Sequence, residues 1–197
     1  MLSDEDLDRY SRQIIIKGVG EQGQEKLMAS TIAMVGVGGI AAHLLPALVA
    51  AGVQKIILID DDMVANSNLS RQIMFRQEDI GQKKIIAAAR TLQSIAPTAH
   101  IITHDKKITS SSDQSLLSTA DIILEGSDNL STKLLVDQLA CLLQKPIIIG
   151  GATGQSGQVA FFHYQPINHH SNSPRYKDIV GEQEVTDAGH CATVGVL

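Results

Sequence analysis

A chain of 197 residues with 44% hydrophobic content is long enough to enclose a sizeable core and reads as one domain. A net charge of -5, scattered basic residues and only 3% aromatic content argue against a nucleic-acid surface and against stacking platforms for single strands. No run of about eighteen apolar residues marks a membrane span, and the acidic start MLSDEDLDRY lacks the basic-then-apolar order of a secretory signal, so the expected compartment is the cytoplasm.

Ser3 followed by Asp6 reads as a capping box opening a helix through Leu7, Tyr10, Ile14 and Ile15, with Arg9 and Arg12 on its polar side. Gly18, Gly20 and Gly23 interrupt the chain before a short helix over residues 24–29. Residues 1–30 are therefore an N-terminal helical segment of the same domain. A short apolar strand over residues 32–35 breaks at Gly36, turns through Gly38 and Gly39, and enters an Ala- and Leu-rich helix over 41–51. This is the pattern of a phosphate cradle. Gly36 permits the tight turn, Gly38 admits a phosphate against bare backbone, and the helix aims its unpaired amides at the anion. Ala41 stands where the usual pattern has a third glycine, at a position that needs only a small residue. The apolar strand 55–59 ends on Asp60, placed where an acid meets a ribose hydroxyl.

The irregular stretch from Asp62 to Ile80 is too long for a plain connection and implies a task. Residues 81–96 form an amphipathic helix with Ile85, Ala89, Leu92 and Ile95 or Ala96 on one face, stopped by Pro97. Strands over 99–103, 121–125, 146–149 and 157–163 alternate with helices over 112–118 and 130–143. Such alternation predicts an α/β fold: a Rossmann-like, mostly parallel sheet with helices on both faces over 31–163, its ligand site at the carboxyl ends of the strands. The polar stretch 164–197, with Pro166 and Pro174, is expected to be a mobile tail. The two cysteines, Cys141 and Cys191, form no CxxC pair, and no disulfide is expected.

Polar residues gather at that sheet edge. Asp60 and Asp62 follow the second strand, Asn68, Arg71 and Gln72 lie in the long loop, Lys84 begins the amphipathic helix, and Asp128 and Asn129 follow the fourth strand. A redox dinucleotide has little use for Arg71, Lys84 and Asp128 together. A nucleoside triphosphate needs cations for its phosphates and a carboxylate for its metal. ATP binding is thus the leading expectation. An NAD-dependent oxidoreductase rests only on the glycine turn and Asp60, and a nucleotide-binding or dimerising protein without turnover is a third reading.

The strings RYSRQI (9–14), GVGGIA (36–41), Asp60-x-Asp62, NLSRQ (68–72), DIGQKK (79–84) and SDN (127–129) resemble, in order, the ThiF/MoeB adenylyltransferases, relatives of the ubiquitin-activating enzymes. The resemblance covers about residues 4–163 and implies ATP-dependent adenylation of the C-terminal Gly-Gly carboxylate of a ubiquitin-like sulfur-carrier protein, of ThiS or MoaD type, by a homodimer. It leaves open thiamine biosynthesis, molybdopterin biosynthesis and a related branch that acts on modified tRNA. It implies that Gly36, Gly38, Gly39 and Asp60 line the nucleoside and phosphates, that Asn68, Arg71 and Lys84 contact the phosphates, and that Asp128 holds Mg2+. Asp62, Gln72 and Asn129 belong to the same matched motifs. Arg12 matches an arginine that reaches into the partner's ATP site. Cys191, in GHCATVGVL, matches a segment bearing a reactive cysteine, against the alternative of an incidental thiol; Cys141 reads as core. The sequence departs from the family pattern where CxxC pairs would build a zinc site: only His163, His169 and His170 stand near there, so no structural zinc is expected. It also ends before the family's last helix and strands, an apparent C-terminal shortening that bears on carrier binding more than on ATP binding.

Overall fold

The computed structural model describes residues 1–164 and 174–180. Six strands form one sheet in the order β3-β2-β1-β4-β5-β6: β1 (Thr31–Val35), β2 (Lys55–Ile59), β3 (His100–His104), β4 (Ile122–Glu125), β5 (Ile147–Thr153) and β6 (Ser156–Phe162). β1 to β5 run parallel, and β6 folds back antiparallel on β5 from Ile147↔Phe162 to Thr153↔Ser156.

The central strands read as unbroken apolar runs because both faces are covered. Ile32, Met34, Ile56 and Leu58 pack with α4 (Gly39–Ala50) and α5 (Lys84–Ile95), whereas Ala33, Val35, Ile57 and Ile59 pack with α6 (Leu130–Leu142). The parallel order, with crossings on both faces, gathers the loops after β1, β2 and β4 at one edge.

The N-terminal helix is broken in two, α1 (Asp4–Arg9) and α2 (Ser11–Ile14), although Ser3 and Asp6 do form the capping box. The break has a tertiary cause. Tyr10 is buried against Gly52, whose φ of +110° needs a glycine and where a Cβ would lie 3.1 Å from the Tyr10 ring. Arg9 donates to Ile95 O at 2.8 Å, which ties α1 to the last residue of α5. The next helix, α3 (Gly20–Ala29), starts earlier than its glycines suggest. α5 starts at Lys84 rather than Gly81, and its buried stripe is Ile85, Ala88 and Leu92, with Ala89 half-buried. β5 continues through Gly150 and Gly151 because both pair with β6.

Within the stretch expected to be a mobile tail, Tyr176–Val180 forms α7, and Tyr176 is buried. Asp137 of α6, fully buried, accepts from the Tyr164 hydroxyl, from Arg175 Nε at 3.3 Å and from Tyr176 N at 3.3 Å. Two tyrosines and one arginine thus gather around a single carboxylate, contacts that the composition of 164–197 does not signal, and the rest of that stretch lies outside the described residues. Burial, with the hydrogen bond to Asp137, pushes the Tyr164 phenol up, so it stays a donor. No helix among the described residues is long and apolar enough to cross a membrane.

Removing the Asp137 carboxylate leaves buried donors unpaired. Asp137→Ala is expected to lower the unfolding free energy by about 2–3 kcal/mol, read as a fall in the urea midpoint; a midpoint equal to that of the unaltered chain would show that the anchor contributes nothing.

Candidate functional site

A cleft of about 860 Å3 opens at the carboxyl edge of the sheet, within the range of small-molecule sites. Its floor is the β1–α4 turn. Gly36 has φ +82°, and a Cβ there would lie 2.7 Å from Ser127 N, so the turn and the β4–α6 loop are pressed together. At Gly38 and Gly39 a Cβ would meet only the Gln72 and Arg71 side chains, each at 3.9 Å. Those two glycines face open cleft. Gly38 caps α4 without a side-chain hydrogen bond, so the first-turn amides of α4 point at whatever occupies the cleft.

Asp60 follows β2 and accepts from Val37 N at 2.6 Å and Asp62 N at 2.7 Å. Burial pushes its pKa up, opposed by the Lys84 ammonium. The long loop after it is clipped shut at its base, with Val64 N on Gln82 O at 2.8 Å, Gly81 N on Val64 O at 2.9 Å and Lys84 N on Asp62 O at 3.0 Å. Buried Asp79 fixes the far side of the clip through Arg76 N at 2.8 Å and the Arg90 guanidinium. Lys84, only 7% exposed, is thereby delivered to the cleft, 2.7 Å from Asp62. The stretch NLSRQ folds on itself: Asn68 Oδ1 accepts from Ala65 N at 3.0 Å, and Arg71 donates to Ser67 O at 2.9 Å. Gln72 is buried beside Gly38 with its Oε1 lacking a hydrogen-bond partner, a group that a bound ligand can satisfy.

All the residues proposed from the matched motifs between Gly36 and Asn129 line this one cleft. Asn129 does so while its Oδ1 caps α6, accepting from Thr132 N at 2.8 Å, so that oxygen is committed to the helix. Arg12 is exposed on α2 and is not part of the lining. Cys191, His169 and His170 lie outside the described residues, whereas Cys141 is half-buried on α6 against the core. The carboxylates of Asp60, Asp61 and Asp62 approach within 4.8 Å of one another, and Asp128 lines the same cleft, a set of hard oxygen donors that fits Mg2+.

Three further cations line the cleft: Lys106 and Lys107 after β3, and Lys133 in α6. Lys106 pairs with Asp113, which also accepts from Thr109 N at 2.8 Å and Ser110 N at 3.1 Å. Lys133 is a charge on the buried stripe of α6, and Glu125 ends an otherwise apolar strand. Those two breaks in apolar pattern were the available signal. The lysines after β3 carried none, being charges in an ordinary loop.

A profile of the ThiF family matches residues 10–197. The chain belongs to the ThiF family. Over 194 residues, 98% of the chain, it is 37% identical to the sulfur carrier protein adenylyltransferase of Thermus thermophilus, of which it covers 71%. It is 35% identical to the molybdopterin-synthase adenylyltransferase of Haemophilus influenzae, over its whole length and 78% of that relative. Among solved structures, Escherichia coli MccB with ATP superposes with a TM-score of 0.68 at 26% identity, over 78% of this chain. The chain spans about half the length of that solved chain, 48%. These likenesses place the ThiF family's fold under the cleft just described.

The Lys106 ammonium, followed by the Thr109 amide, lowers Asp113 to about 2. A carboxylate depressed in the folded state stabilises above its unfolded pKa of about 4 and loses that contribution as pH falls through about 2. The melting-temperature gap between the unaltered chain and Asp113→Asn is therefore expected to be constant above about pH 4 and to close between there and pH 2. A gap that persists to pH 2 would contradict this.

Proposed function

We propose that this ThiF-family adenylyltransferase uses ATP to adenylate the C-terminal glycine carboxylate of a ubiquitin-like sulfur-carrier protein, working as a homodimer. The observation that carries the reading is the meeting of two cations, Arg71 and Lys84, an uncapped helix N-terminus and an acid at the end of β2 in one cleft. The names of the Thermus and Haemophilus relatives, and the ATP in the MccB structure, support the same substrates.

The chemistry follows from charge. A carboxylate oxygen forms a bond to the α-phosphorus while the bond to the bridging oxygen breaks and its electron pair leaves with pyrophosphate. No proton moves, because the attacking carboxylate is ionised at neutral pH. Arg71 and Lys84 neutralise the oxygens on which charge builds, and they are already positioned by the clipped loop. The α4 amides hold the α-phosphate and Asp60 the ribose. Asp128, which lines the same cleft as the Asp60–62 carboxylates, would hold Mg2+, and the ion would supply charge neutralisation along the phosphates. Cys191 is the candidate for a covalent link to the carrier. The pathway, thiamine or molybdopterin, follows from which carrier is accepted.

Carrier-dependent exchange of labelled pyrophosphate into ATP tests the reading. Exchange is expected with a Gly-Gly carrier, and Lys84→Ala or Asp128→Ala is expected to lower it by roughly a hundredfold. Tight NAD binding without ATP binding in calorimetry would instead favour a redox role and overturn the proposal.

Arg12 belongs to the proposal through the dimer, because it is absent from its own chain's cleft. Mixing Arg12→Ala with Lys84→Ala chains is expected to recover part of the activity, since one hybrid site keeps both cations. Mixed dimers no more active than the separate variants would remove Arg12 from the site.

A further inference from the structure

At the β4–β5 end of the cleft sits a buried ion pair that the adenylation scheme does not use. Lys133 is 6% exposed and Glu125 is 1% exposed. The ammonium donates to Glu125 Oε2 at 2.6 Å and to Gly150 O at 2.6 Å, while Glu125 Oε1 accepts from Ser127 N at 2.9 Å. Burial pushes the Glu125 carboxyl up, and Lys133 opposes it. A buried pair carries a desolvation cost that an apolar pair of similar size would avoid, so packing alone does not explain a charge here. An ammonium has three N–H donors. Glu125 and Gly150 take two, which leaves one, and Lys133 is among the residues that line the cleft.

The layout of the cleft says what that donor meets. Asp60 marks the nucleoside side at β2, and the glycine turn at β1 marks the α-phosphate. Arg71 and Lys84, the cations for the departing pyrophosphate, come from the long loop and the start of α5. In-line displacement requires the attacking oxygen to approach from the side opposite the leaving group, which is the β4–β5 side. Among the described residues of β4, α6, β5 and β6, Lys133 is the cation lining the cleft.

We infer that Lys133 contacts the acyl substrate, giving its third N–H to the carboxylate that attacks the α-phosphorus. This rests on the adenylation reading and adds to it a binding place for the carrier's terminal carboxylate, separate from the nucleotide's cations. Glu125 is the positioning residue, holding the ammonium against Gly150 and the β4–α6 loop in register with it.

The test measures pyrophosphate exchange as a function of carrier concentration, with ATP affinity followed separately by calorimetry. Lys133→Met is expected to raise the half-saturating concentration of a Gly-Gly sulfur carrier roughly tenfold, the effect of a lost hydrogen bond to a charged group. ATP affinity should stay within about twofold. Because Lys133→Met strands a buried carboxylate, the double variant Lys133→Met with Glu125→Gln is measured beside it, its fold checked by thermal melting. The same confined loss in the double variant supports the inference. Carrier dependence unchanged in either folded variant, or ATP affinity falling in parallel, overturns it alone. No exchange by the unaltered chain with any Gly-Gly carrier overturns the adenylation reading and this inference with it.

Discussion

The cleft depends on one close approach. At Gly36 the β1–α4 turn and the β4–α6 loop pass so near that any Cβ would lie 2.7 Å from Ser127 N and 2.9 Å from its Cα. No other residue type fits, since φ at Gly36 is +82° as well. The two loops are therefore in direct backbone contact, and hydrogen bonds extend that contact to neighbouring strands. Asp60 holds Val37 from β2, Glu125 holds Ser127 from beneath, and Lys133 reaches across to Gly150 on β5. Four strand ends are thus tied at a single edge before any ligand enters, the preorganisation that charge stabilisation requires.

Legibility followed from how local each cause was. β1 and β2 are plain in the sequence because they are apolar on both faces and bounded by glycine and aspartate; Thr31–Val35 and Lys55–Ile59 pair in register as such runs should. The break at Tyr10 was hidden, because its cause is a glycine forty-two residues further on. The same holds for Tyr176, whose anchor, Asp137, belongs to a helix that precedes it by a whole hairpin. The pair Gly150-Gly151 reads as a stop, yet the strand runs on because β6 supplies partners for both.

At the site, residues with a chain-local signature were readable and those defined by tertiary company were not. Lys84, Arg71 and Asp60 stand in motifs whose spacing carries their role. Asn129 stands in one too, yet its oxygen is committed to capping α6. Lys133 has no motif of its own; its meaning comes from Glu125 on the adjoining strand and a carbonyl on the next.

The antiparallel return of β6 has a colloidal consequence. Among the described residues β6 is the outer strand of the sheet, paired on one side, and Val159 projects from it 79% exposed and Phe161 61% exposed. Such an edge is a template for strand-on-strand association. At low ionic strength the net charge of -5 opposes non-specific association, but salt at physiological strength shortens that repulsion to about 8 Å. The solubility of the chain handled alone is then a balance between a weak, screened repulsion and two exposed apolar side chains on an outer strand.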